Sequence, residues 1–148
     1  MLQTVDISKY ECIELPVRET WGVLVRRGSP LAERAAIAPE DVVSQPLIVS
    51  RQAFSGALLS SWLGRGLDTL NVAATYSLLY NASLMVEEGM GCALCLDGII
   101  NTTGESALCF RPLEPRLEVS VYLVWRKYRS FSKAAEKYME ALAPEFRI

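Results

Sequence analysis

Asn71-Val-Ala-Ala-Thr-Tyr-Ser-Leu-Leu-Tyr-Asn-Ala-Ser-Leu-Met-Val-Glu-Glu-Gly-Met-Gly-Cys-Ala-Leu-Cys-Leu96 is the stretch on which the fold turns. Asn71 to Thr75 is apolar and strand-like. Leu78, Leu79, Ala82, Met85 and Val86 then recur at helical spacing until Gly89 closes the pattern, and Cys92 to Leu96 is a short apolar run suited to a buried strand. Strand, helix, strand with short turns is the unit from which sheets with helices on both faces are built.

The same order holds upstream. Pro46-Leu-Ile-Val-Ser50 is a compact apolar run, too short for a helix and bounded by polar residues, and reads as a fully buried strand of a parallel sheet. Phe54, Leu58, Leu59 and Trp62 follow at helical spacing, ended by Gly64 and Gly66. Earlier still, Glu11 to Pro16 and Thr20 to Arg26 read as two strands. Ser29 is placed to cap a short helix with Pro30 at its first position, and Pro39 starts another over Glu40 to Ser44. Downstream, Ala107 to Phe110 and Glu118 to Trp125 read as strands. A last helix spans Phe131 to Ala143, capped by Ser130 or Ser132 and ended by Pro144. The pattern predicts a mostly parallel sheet with helices on both faces and ligands beyond the carboxyl ends of its strands.

Composition narrows the function classes. The chain has 148 residues, 51% hydrophobic and 22% charged, which suits a globular domain with a real core. Its net charge of −2 supplies no footprint for a phosphate backbone. No apolar run is long enough to span a bilayer, and the N-terminus lacks a signal-peptide layout, so no membrane partner and a cytoplasmic location are expected. The four cysteines, Cys12, Cys92, Cys95 and Cys109, are then expected to be reduced and buried. Histidine is absent, which removes the commonest general base, the commonest metal ligand and every Ser-His or Cys-His pair. No catalytic residue, metal or cofactor is assigned.

Candidate ligand contacts follow from the strand-to-helix turns. Ser50, Arg51 and Gln52 lie between a strand's carboxyl end and a helix start, where free N–H groups favour a carboxylate or phosphate; an ordinary turn with a solvated Arg fits the same residues. Thr75, Tyr76 and Ser77 occupy the equivalent turn of the next unit, with helix capping by Ser77 as the plain alternative. Gly89-Met-Gly91 sits after a helix and before a strand, the reverse of a phosphate-binding loop. Cys92 and Cys95 match Cys-x-x-Cys, yet on a strand they face opposite sides. Glu87 and Glu88 read as a solvated face, and Arg126, Lys127, Arg129 and Lys133 as a surface patch.

Taken in order, Trp21-Gly-Val-Leu-Val-Arg-Arg-Gly-Ser-Pro-Leu-Ala32, Ile37-Ala-Pro-Glu-Asp-Val42, Pro46-Leu-Ile48 and Met85-Val-Glu-Glu-Gly-Met-Gly-Cys-Ala-Leu94 resemble the effector-binding domain of LysR-type transcriptional regulators. Pro112-Leu-Glu-Pro115, Val124-Trp-Arg-Lys127 and Ser132-Lys-Ala-Ala135 resemble that family's final strand and helix. The resemblance implies an α/β fold like type II periplasmic binding proteins: two α/β subdomains joined by crossovers, the first one incomplete here. On that reading residues 1–16 end the first subdomain and 17–114 form the second. Residues 115–148 return to the first, with crossovers near Glu14 to Arg18 and Leu113 to Leu117.

It also implies a cleft for a small effector, probed by Ser50 to Gln52 and Thr75 to Ser77, with Asp97 and Gly98 nearby. The chain shows no winged helix-turn-helix, so DNA would be reached only through an N-terminal domain not present in it, and a homo-oligomer is expected. Apolar faces on the last strand and helix are expected to be exposed. Two other readings stay open: a stand-alone module that only dimerises with a full-length regulator, and an enzyme using Cys92 or Cys95 as a redox thiol or Asp97 as an acid.

Overall fold

The structure, a computed structural model, describes Asp6 and residues 8–146, with side chains considered up to residue 142. The outermost residues of the first and last expected segments, 1–5, 7, 147 and 148, lie outside the described residues. Among the described residues, six strands and five α-helices follow in order: β1 Tyr10–Arg26, α1 Pro39–Val43, β2 Leu47–Ser50, α2 Arg51–Ser55, α3 Ala57–Leu63, β3 Val72–Tyr76, α4 Leu79–Glu87, β4 Cys92–Leu96, β5 Leu108–Pro112, β6 Glu118–Arg126 and α5 Lys133–Phe146. Short 3-10 turns occupy Pro30–Glu33 and Leu67–Thr69.

Two compact units emerge. Unit 2 is the continuous segment Glu19–Val119; unit 1 combines Met1–Arg18 with Ser120–Ile148. The sheet of unit 2 has the order β3-β2-β4-β1-β5. β2 runs parallel to β3 and to β4, whereas β1 is antiparallel to both β4 and β5. The expectation of a mostly parallel sheet therefore holds for β3, β2, β4 and β5, with β1 threaded through in the opposite sense.

Strand periodicity sorts the core onto two faces. Val23, Val25, Leu47, Val49, Cys92 and Leu94 pack on one face with Ile37, Val42, Leu59, Leu63 and Leu67 from the helices and turns beside them. Leu24, Ile48, Ala93, Cys95 and Leu108 pack on the other face with Leu79, Ala82 and Val86 of α4. Cys92 and Cys95 thus do face opposite layers. At Gly22 β5 leaves no room for a side chain: a Cβ there would strike the Phe110 ring and the Arg111 carbonyl.

In unit 1, β6 pairs with β1, and Lys127 N donates to Lys9 O at 2.9 Å. The Trp125 and Phe131 rings lie 6.3 Å apart, and Ser132 Oγ accepts from Ala135 N at 3.3 Å, capping α5.

Four local expectations need correction. The two early strands are one, because the fixed φ of Pro16 suits extended backbone and costs only its missing donor. Ser29 precedes the 3-10 turn but its hydroxyl makes no cap bond. The helix read through Phe54 to Trp62 breaks at Gly56, whose extended backbone (φ −92°, ψ 156°) separates α2 from α3; Phe54 and Leu58 are consequently exposed at 40% each. Finally, α5 runs through Pro144 to Phe146: in a last turn the proline forfeits a single N–H, with almost no helix beyond it to disrupt.

Candidate functional site

The site reading concerns the edge of unit 2 where its parallel strands end. Ser50 is the register partner of Tyr76 across β2 and β3. Ile48 pairs with Ala93 across β2 and β4, so extending both strands by two residues brings Ser50 level with Cys95. Ser50 to Gln52, Thr75 to Ser77, and Asp97 with Gly98 therefore all leave the sheet at one edge, in the lateral order β3, β2, β4.

Those residues are not equivalent. Ser50 is half-buried and committed: its Oγ accepts from Ala53 N at 3.0 Å, the N-cap bond that starts α2. Tyr76 is committed as well. Its hydroxyl donates to the Leu94 carbonyl at 2.9 Å, its ring packs under α4, and burial pushes its pKa upward, so it stays a neutral donor. Asp97 is exposed and its Oδ1 accepts from Gly98 N at 2.7 Å, closing a tight turn in which Gly98 takes φ 74°.

Arg51, Gln52, Thr75 and Ser77 are exposed, and their side chains make no hydrogen bond or ion pair among the described residues. Ser77 does not cap α4. The cap position is Leu78, which supplies no side-chain acceptor, so the first N–H groups of a nine-residue helix are left uncapped by any side chain beside Thr75 and Ser77. An exposed guanidinium, hydroxyls and an uncapped helix start form a surface suited to a polar or anionic group.

Sequence reasoning missed the contribution of β1. Because Trp21 pairs with Leu96, and Asp97 N donates to Thr20 O at 2.9 Å, Thr20 joins this edge from the antiparallel strand. Trp21 adds a buried indole N–H with no partner among the described residues. Nothing in the local pattern of β1 announces that it lies between β4 and β5. That placement depends on pairing with residues some seventy positions away in sequence.

The thiols have no place in this edge's chemistry. Cys92 and Cys95 are 5% and 2% exposed, and burial pushes both pKa values up to about 12. Among the described residues no group of His, Cys, Asp and Glu is arranged to hold a metal, and no helix is long and apolar enough to cross a membrane.

Comparison with known proteins places the fold. The LysR substrate binding domain family matches residues 1–147. HinK, a LysR family transcriptional regulator from Pseudomonas aeruginosa, superimposes with a TM-score of 0.73 at 20% identity, over 98% of this chain and 51% of that one. The effector binding domain of QuiR in complex with shikimate gives 0.75 at 16% identity, over 99% and 69%. The regulatory domain of CcmR from Synechocystis PCC6803 in complex with 2-PG gives 0.72 at 12%, over 99% and 70%. The chain thus spans about half the length of the full HinK regulator. No curated protein sequence matches it.

Proposed function

This chain belongs to the LysR substrate-binding domain family, with its type II periplasmic-binding-protein-like fold, and from that premise we propose that it senses a small polar or anionic effector in the cytoplasm. The effector sits at the carboxyl edge of β3, β2 and β4, with Arg51 and Gln52 on one side, Thr75 and Ser77 on the other, and Asp97 with Gly98 flanking them. Ser50 and Tyr76 hold the two turns in place. The observation that carries this reading is the contrast at that edge: Ser50 and Tyr76 are hydrogen-bonded into its turns, while the side chains of Arg51, Thr75 and Ser77 make no hydrogen bond among the described residues and share one rim. The complexes of QuiR with shikimate and CcmR with 2-PG support the same kind of ligand.

Binding performs no chemistry here. It biases a conformational equilibrium that a DNA-binding domain outside this sequence reads, within a homo-oligomer. The competing thiol-enzyme reading is opposed by the burial and raised pKa of Cys92 and Cys95.

Thermal unfolding of the chain against a panel of small carboxylates, amino acids and phosphorylated metabolites tests the reading. A ligand present at 100 times its dissociation constant stabilises by about 2.7 kcal/mol. One chemical class should raise the unfolding temperature, and Arg51→Gln combined with Thr75→Val should abolish the rise. A cooperatively folding chain that responds to no member of the panel would sink the proposal.

A further inference from the structure

Unit 2 has a second feature suited to a ligand, at the opposite edge of its sheet. Where β1 ends and where β2 and β4 begin, a cavity of about 210 Å³ opens among Arg26, Ser29 and Gln45 on its polar side and Leu31, Val86 and Cys92 on its apolar side. The side chains behind the apolar side are buried: Leu31 is 8% exposed, Val86 0% and Cys92 5%. An apolar cavity of about 150 Å³ is enough to hold benzene, so a compact ring or branched chain fits this one.

The polar side carries two unmet demands. Ser29 Oγ is buried with no hydrogen-bond partner among the described residues, although it stands where a capping bond to the following turn would ordinarily form. Arg26 ends β1 with an exposed guanidinium that makes no hydrogen bond or ion pair among the described residues; its Nη1 lies 3.7 Å from where a Cβ on Gly89 would stand. No carboxylate lines the cavity to neutralise it.

The C-terminal end of α4 also lies here, and its carbonyls would oppose an anion if they were free. Three of the last four are occupied: Leu84 O accepts from Glu88 N at 3.1 Å, Met85 O from Met90 N at 3.0 Å, and Val86 O from Gly89 N at 3.0 Å. Gly91 keeps the wall thin. With φ at 154° it lets the turn close against Pro46, whose carbonyl any Cβ would strike.

We propose that this cavity is a second ligand site, taking a monocarboxylic acid with a compact apolar body. The carboxylate accepts from Arg26 and from the Ser29 hydroxyl, with the Gln45 amide available to the same oxygens. The body lies against Pro30, Leu31 and Pro46, over the buried Val86 and Cys92. The site is separate from the carboxyl edge and does not depend on the reading given to that edge.

The test is an amide NMR titration of the whole chain with cyclopentanecarboxylate, and in parallel with the uncharged cyclopentanecarboxamide. The carboxylate should shift Ser29, Gly89, Gly91 and Cys92 saturably, bind at least tenfold more tightly than the amide, and leave Arg51, Thr75 and Ser77 unmoved. Arg26→Gln, at an exposed position that the fold does not rely on, should weaken binding at least tenfold; Ser29→Ala should weaken it less. Absence of saturable shifts around Gly89 and Gly91, equal affinity for acid and amide, or an Arg26→Gln protein that binds as well as the parent would each overturn the proposal.

Discussion

β1 passes through both units, and its two halves behave differently. Val23, Leu24 and Val25 are 0–2% exposed, whereas no residue from Tyr10 to Arg18 is buried. Both halves are extended, hydrogen-bonded strand with ample β-formers, so neither backbone nor composition separates them. What differs is cover. In unit 2 helices lie on both faces of the sheet and every buried side chain of β2 and β4 finds core partners. In unit 1, Val121 to Trp125 of β6 and Ala135, Met139 and Leu142 of α5 are all only half-buried. Burial is a property of layers rather than of strands, and at roughly 25 cal/mol per Å² of apolar surface the stability follows the layers.

Thiol reactivity should give the widest separation between the units. Cys92 and Cys95, with pKa values near 12, carry about a thousandfold less thiolate than an ordinary cysteine. Iodoacetamide on the native chain at pH 8 should label half-buried Cys12 first, and Cys92 and Cys95 only at the rate of unfolding. Equal rates at Cys12 and Cys92 would break the contrast.

Core truncation comes next. Leu94→Ala removes a fully buried side chain and should cost about 2–5 kcal/mol, while Val124→Ala on half-buried β6 should cost under about 1.5 kcal/mol, both read from urea midpoints. A comparable loss from the two would show that unit 1 is as well packed as unit 2.

Smaller again is Gly91→Ala, which places a Cβ against the Pro46 carbonyl in a backbone conformation suited to glycine. Its cost should be about 1–3 kcal/mol, with amide exchange accelerated at the starts of β2 and β4 and unchanged in unit 1.

The smallest effect belongs to Glu14. The hydroxyls of Ser120 and Tyr122 beside it hold its carboxyl below the ordinary value of 4.5. Its folded state therefore favours the carboxylate, so the contribution is complete at neutral pH and disappears as pH falls below 4.5 through the lowered folded value. Glu14→Gln should remove that acid dependence from amide exchange in β6 and leave the sheet of unit 2 unaffected.

How much of this was legible in the sequence depends on whether the signal was local. Leu47 to Val49 and Cys92 to Cys95 declare themselves because a strand covered on both faces must be apolar at every position, and Cys92 and Cys95 sort onto opposite layers by strand period alone. Gly56 was invisible because helical spacing continues across it from Phe54 to Trp62, and a glycine is tolerated inside such a pattern. Pro16 and Pro144 misled in the other direction, as punctuation that the backbone absorbed. At the candidate site, the strand-to-helix turns could be located from pattern. Which hydroxyls were already spent could not: the bonds of Ser50 and Tyr76 emerge only when Ala53 and Leu94 are in place. The apolar faces expected to be exposed on the last strand and helix are half-covered on β6, while Tyr138 of α5 is 58% exposed.

Unit 2 is one unbroken stretch of chain, and its entry and exit are tied together where Trp21 N donates to Leu117 O at 2.9 Å. Its two ends are therefore neighbours, the condition under which a segment can be lifted out of one protein and spliced into another without stretching either host or guest. In the language of gene architecture it is a cassette: a self-contained insert between two pieces of unit 1, which evolution or an engineer can exchange, duplicate or tune while the flanking strands stay unchanged.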